Sequence, residues 1–339
     1  MKKFFTICGF LFFLLLCFAI YWKKEPRIHQ AIIHVKEKWN HPVNDSVCKH
    51  AEDMMIDDLP TLRDASDAWY TKYQVIAHGG GGIGGKEITN SREALEEHYK
   101  NGTRLFDVDV LCTADSVLVL RHSWGDNTEQ DVFQQVFRSH RLFYENLHQE
   151  YISIDSSKIM DLYEFSNHLI FNMFHPMTAR SLFEWMKEHP DAYIFPDIKD
   201  YKLIPKFFKE AQNAGLDTLM GHFIIRICDY EHYSLVRRIL PSHQIMLKYF
   251  DMSNDTYANI LRFCTTNQIH AVALSVKNAD DDILLRFGEK GVHVYVAVVD
   301  YLSDYVYFRE KGASGIVSNW LYEKQVVSRD ANLNLSIDN

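Results

Sequence analysis

From residue 75 onward, short apolar runs recur along the chain, each ending in polar or charged residues. They occupy 75–77, 104–110, 117–120, 192–199, 223–227, 245–248, 271–274, 292–299 and 315–318. Between several of them lie stretches with helical signals. Asn90-Ser-Arg-Glu93 reads as a helix start with Asn90 as N-cap and Glu93 as a capping-box acid, closed at Asn101-Gly102. A second helix is expected within 178–188, around Leu182 to Met186. Strand, helix, strand in this order predicts βα repeats and a parallel sheet. Ahead of them stands an uncharged apolar run, 4–22, flanked by Lys2, Lys3, Lys23, Lys24 and Arg27. Its length and lack of charge predict a membrane segment, and no small-residue cleavage pattern follows it.

The second run, Arg104-Leu-Phe-Asp-Val-Asp-Val110, carries the strongest chemical signal. Residues two apart on a strand share a face, so Asp107 and Asp109 project together while Val108 and Val110 pack on the other side. Two carboxylates held that close repel unless a cation or a shared proton lies between them. His78 ends the first run, directly before Gly79-Gly-Gly-Gly-Ile-Gly-Gly85, and Arg121-His122 ends the third. Three strand ends thus deliver two imidazoles and two acids to one rim, the usual place for an active site at the C-terminal ends of parallel strands. The glycine run suggests close approach of the backbone to a phosphate.

The order His78, Asn90-Ser-Arg-Glu-Ala-Leu95, Gly102, Asp107-Val-Asp-Val110, Thr113, Asp115 and His122 resembles the signature block of the glycerophosphodiester phosphodiesterases, within the phosphatidylinositol phospholipase C-like barrels. The resemblance implies an α/β fold, a (β/α)8 TIM barrel, here following an N-terminal transmembrane helix. It implies metal-dependent phosphodiester hydrolysis of glycerophosphodiesters or phospholipid headgroups. Asp107, Asp109 and Asp197 would hold the divalent ion, Mg²⁺ or Ca²⁺, since all-oxygen ligation suits hard cations. His78 and His122 would serve as acid and base, with Lys199 of the Asp197-Ile-Lys199 pair near the phosphate. Nine runs stand where such a barrel needs eight strands, so one must lie outside it. The chain departs from the pattern at Thr89 and Gly79, where the family has a glutamate and an arginine, and at Ser318-Asn319, where it has an acid. Glu87 or Asn90 would then substitute, or three aspartates suffice, as in the sphingomyelinase D branch. That branch, with cleavage to a cyclic phosphate, and a catalytically inactive barrel binding a phosphorylated ligand are the alternatives.

Composition adds few constraints. With 339 residues, 47% hydrophobic and 24% charged, the chain has room for one large domain and a leader. The expected division is anchor 1–27, linker or juxtamembrane segment 28–72, barrel 73–325 and polar tail 326–339, with the irregular stretch from Asn40 to about Tyr70 read as linker or barrel-bottom plug and the barrel outside the cytoplasm by resemblance. The net charge is −9, and residues 1–27 hold five basic residues and one acid, so the remainder carries −13. That balance argues against nucleic acid as a partner. Of six cysteines, Cys48, Cys112, Cys228 and Cys264 lie beyond the apolar leader, with no zinc-knuckle or redox spacing; a disulfide and buried thiols both stay open. Arg226 and Lys248, at strand ends, are further phosphate-contact candidates. His98, His222 and His293 are expected on the surface or in the core, and the aromatics Tyr99, Trp124 and Trp185 in the core by default, with lining of a lipid or headgroup site as the alternative.

Overall fold

The computed structural model describes residues 56–124, 159–241, 244–249 and 256–337. Ten strands occur among them: β1 (Val75–Ala77), β2 (Leu105–Cys112), β3 (Leu118–Leu120), β4 (Met177–Thr178), β5 (Tyr193–Ile198), β6 (Ile224–Ile227), β7 (Gln244–Tyr249), β8 (Ala271–Ser275), β9 (His293–Ala297) and β10 (Gly315–Ser318). Eight are parallel and close into a ring in the order β1, β2, β5, β6, β7, β8, β9, β10. The β5–β6 seam is held by one parallel bridge, Ile194 to Phe223. The ninth run of the sequence is β3, which pairs antiparallel with the far end of β2 and with β4, outside the ring.

Alternation along each strand sorts the core into two compartments. Ile76, Leu105, Phe195, Ile224, Met246, Ala271, Ala273, Tyr295 and Val317 fill the ring, while Val75, Val108, Ile225, Leu247, Val272, Val294 and Ile316 face the helices. The bottom is closed by the short helix α1 (Trp69–Lys72). Trp69 packs edge-on against Phe195, with ring centroids 5.1 Å apart, and its Nε1–H donates to Gln244 at 2.6 Å. Trp69 and Tyr70, at the end of the stretch read as linker or plug, are both buried.

A helix follows each ring strand: α2 (Arg92–Lys100), α4 (Ala179–Glu188), α5 (Ile204–Asn213), α6 (Tyr230–Ile239), α7 (Tyr257–Thr266), α8 (Asp281–Glu289), α9 (Leu302–Glu310) and α10 (Glu323–Ile337), with α3 (Leu162–Asn167) in the β3–β4 excursion. Side chains of Ser91, Thr178, Asp229, Thr256 and Asp280 accept from the first turns of their helices. Residues beyond Glu323, expected as a loose tail, continue as α10. Val326 is buried there, and Asp330 accepts from Tyr305 Oη at 2.9 Å, which gives the helix a packed face. No helix among the described residues is long and apolar enough to cross a membrane, and the expected anchor, 1–27, lies outside them. Cys112, Cys228 and Cys264 are free thiols; burial pushes that of Cys264 up to about 12.

Candidate active site

The inward parity that places Ile76 and Leu105 in the ring continues at the top with charged residues. Asp107 and Asp109 lie midway along β2, Asp197 next to the end of β5, and Arg226 and Lys248 follow Ile224 and Met246 on β6 and β7. Asp109 and Asp197 are register partners on adjacent strands. Asp107 and Asp109 are nearly inaccessible, at 3% and 5% exposure, and an unpaired buried carboxylate is costly, so each acid has a counter-charge. The guanidinium of Arg226, itself buried, contacts Asp107. Lys248 Nζ donates to Asp197 Oδ2 at 3.1 Å, and Lys199 Nζ lies 3.8 Å from Asp109 Oδ1.

Burial pushes the Asp197 carboxyl up, but Arg226, Lys248 and Lys199 outweigh it and hold the group below the ordinary range. Burial likewise opposes ionisation of Asp109, and His122, Lys199 and the Asn90 amide reverse the balance. Asp107 and Asp197 in turn hold Arg226 above its usual range against its own burial.

The imidazole of His78 is fixed by a relay that sequence reading missed. His78 Nδ1 lies 2.9 Å from Asn319 Oδ1. Asn319 Nδ2 donates to Asp300 Oδ2 at 2.9 Å, and its backbone N–H donates to Asp300 Oδ1 at 2.7 Å. With its amide so oriented, Asn319 presents an acceptor, so His78 carries its proton on Nδ1 and keeps the Nε2 lone pair free. The acid absent from the last strand is thus supplied by Asp300, just past β9. An acid closing an apolar run, the pattern that marked Asp197, was its signal. His78 stands between β10 and β2, while His122 stands near Asp109 on the β2–β5 side, where its carbonyl accepts from Lys199 Nζ.

The three aspartates offer hard oxygen donors on one inward face of neighbouring strands, so the donor type suits a divalent ion such as Mg²⁺ or Ca²⁺. Their side chains are turned to Arg226, Lys248 and Asn90, and they do not close into one ligand cluster.

The chain matches solved structures across most of its length. A glycerophosphodiester phosphodiesterase from Parabacteroides distasonis superposes with a TM-score of 0.54 at 16% identity, over 76% of this chain and 98% of that one. One from Agrobacterium tumefaciens gives 0.52 at 12%, over 76% and 99%. A phosphodiesterase from Oleispira antarctica, solved with the product sn-glycerol-3-phosphate, gives 0.52 at 14%, over 75% and 95%. The chain has the glycerophosphodiester phosphodiesterase fold. No family model matches it, and no curated protein matches it by sequence.

Within that fold, several local expectations are corrected. Asn90 does not cap α2. At φ +50° it leaves that role to Ser91, whose Oγ accepts from Ala94. Asn90 instead clamps Asp109: its Oδ1 accepts from the Asp109 backbone N–H and its Nδ2 donates to Asp109 Oδ2, both at 2.9 Å. Its amide oxygen is thereby occupied, so it orients an acid rather than replacing the absent glutamate. Thr89 is buried against Ser91, and Glu87 accepts from Trp320 Nε1 at 3.2 Å.

Three glycines of the run, Gly79, Gly81 and Gly82, are explained by protein neighbours. A Cβ on Gly79 would meet Ile88 Cα at 2.6 Å, one on Gly81 the His98 ring at 2.2 Å, and one on Gly82 the Trp320 ring at 2.5 Å. Close approach is real, but it is to side chains and backbone that shape the rim. Arg226 and Lys248 pair with the acids. His98 and Trp185 are buried, and His293 meets Asp64 at the barrel floor.

Proposed function

We propose that the chain hydrolyses phosphodiesters of the glycerophosphodiester class at the mouth of this barrel. The observation that carries the reading is one inward-facing rim bearing two half-buried imidazoles, three aspartates and three cations, in a fold whose solved examples include one holding sn-glycerol-3-phosphate. His78, with Nε2 unprotonated, accepts the proton of the attacking hydroxyl, and the Asn319–Asp300 relay steadies the imidazolium that forms. His122 protonates the departing oxygen. Lys199 faces the non-bridging oxygens, and Asn90 keeps the Asp109 carboxylate aimed inward. Asp107, Asp109 and Asp197 would hold a divalent ion, which when bound would supply further charge neutralisation at the phosphorus.

His78→Ala and Asp109→Asn are expected to lower release of alcohol from a glycerophosphodiester by roughly 10²–10⁴-fold with the far-ultraviolet circular dichroism retained. EDTA is expected to abolish turnover, and Mg²⁺ or Ca²⁺ to restore it. Unchanged turnover in both variants removes the proposal. Phosphorus NMR of the product separates a hydrolysed monoester from a cyclic phosphate. The same reading keeps 1–27 as a single-pass anchor with the barrel outside the cytoplasm. Deleting those residues is expected to move the protein from the membrane to the soluble fraction, and retention in the membrane pellet contradicts the anchor.

A further inference from the structure

Away from the mouth, on the outer surface of the barrel, α2 and the C-terminal end of α4 bring Glu96, Glu188 and His189 together. Their ligand-type atoms lie within 4.8 Å of one another, and no other such group occurs among the described residues. Two features outside the trio prepare it. His189 Nδ1–H donates to the Trp185 carbonyl at 2.8 Å, which leaves the Nε2 lone pair free, and that atom lies 3.8 Å from Glu96 Oε2. The ring is clamped between Trp185 at 4.4 Å and Tyr99 at 4.2 Å. Glu96 Oε1 accepts from Trp185 Nε1 at 3.1 Å, so the carboxylate is oriented as well. A histidine whose second nitrogen is pinned to a carbonyl, beside a carboxylate held by its own donor, has the outer support that metal ligands carry.

The cation now at the trio is Arg92, with Nη2 2.5 Å from Glu188 Oε2 and Nε 3.8 Å from Glu96 Oε1. Its side chain is 46% exposed, and exposed ion pairs of this kind hold weakly. It can swing into solvent without opening the core.

We propose that Glu96, Glu188 and His189 form a second metal site, for a borderline divalent ion such as Zn²⁺, with Arg92 as the cation that the ion displaces. One imidazole and two carboxylates make three protein ligands and leave a position for water, a set that favours zinc over magnesium. The ion ties α2 to the end of α4 on the barrel's outer face, and the site is independent of the hydrolytic reading of the mouth.

The test is calorimetric titration of zinc chloride into the detergent-solubilised full chain, in excess Mg²⁺ so that hard-ion sites are occupied. Wild type is expected to bind one zinc in this range. Glu188→Gln, an exposed change whose melting in EDTA is expected to match wild type, and His189→Gln are each expected to weaken it by at least ~10-fold. Arg92→Gln removes the competitor and is expected to tighten it. No zinc uptake by wild type, unchanged binding in both ligand variants, or an Arg92→Gln variant that binds no more tightly overturns the site.

Discussion

Single side chains decide both the reactivity of the mouth and part of the acid–base stability. Because Asn319 fixes the His78 tautomer, Asn319→Leu is expected to reduce kcat by roughly 10²-fold while KM changes little, and steady-state kinetics with a glycerophosphodiester check it. Two buried groups elsewhere set opposing pH dependences. Burial pushes the Glu323 carboxyl up to about 7, against the backbone N–H groups of Gln74 and Val75. The folded protein then binds more protons than the unfolded chain, and stability falls as pH rises from about 4.5 to about 7. Burial holds His98 down at about 4, so stability is lost as pH falls from 6.5 towards 4. Each effect is about 3 kcal/mol, and the two offset each other near pH 5–6. Glu323→Gln is expected to expose the His98 dependence, as an unfolding free energy that climbs from pH 4 to 6.5. A flat profile refutes the pairing. At this scale the sequence pointed to the positions of His78, His122, Asp107 and Asp109, because acids and histidines in or closing apolar runs stand out, and the family resemblance added Asp197 and Lys199. Asp300 and Asn319 escaped because their value lies in meeting each other across β9 and β10. The role of Asn90 escaped because a left-handed backbone at φ +50° is not written in a local pattern.

Elements were legible where periodicity and caps agree, and ambiguous where strand direction matters. Thr178 and the helix after it follow the reading closely, as do the eight ring strands. The third run, 117–120, is apolar like the others, yet it folds back antiparallel on β2, since hydrophobicity alone carries no information about direction. The glycine run was recognised as a place of close approach, but what approaches it was visible only once His98, Ile88 and Trp320 were in place. Gly81→Ala combines a left-handed φ of +98° with a clash against the His98 ring, and is expected to cost more than about 1 kcal/mol. Urea denaturation measures it, and an unshifted midpoint contradicts the packing described.

Across the whole molecule, a floor of aromatic side chains seals one end of the ring and a charged rim opens the other. Trp69, 2% exposed, joins Phe195 and Tyr295 at that floor, so Trp69→Ala is expected to destabilise the protein by about 3–5 kcal/mol with the mouth chemistry intact. Thermal melting together with activity below the transition tests both halves of that statement. The fold class was legible because eight βα units leave few alternatives. Substrate choice was not, because it rests on what surrounds the rim. There β2 outruns the ring: past Val110, its last residue paired with β5, it continues paired with β3, and β3 with β4, as a small antiparallel ribbon. The entrance therefore carries this ribbon along its β2 flank. For the diesters proposed above, that palisade bounds the approach on the β2 side, and a chimera that shortens it is expected to widen the range of head groups turned over, without loosening the barrel beneath.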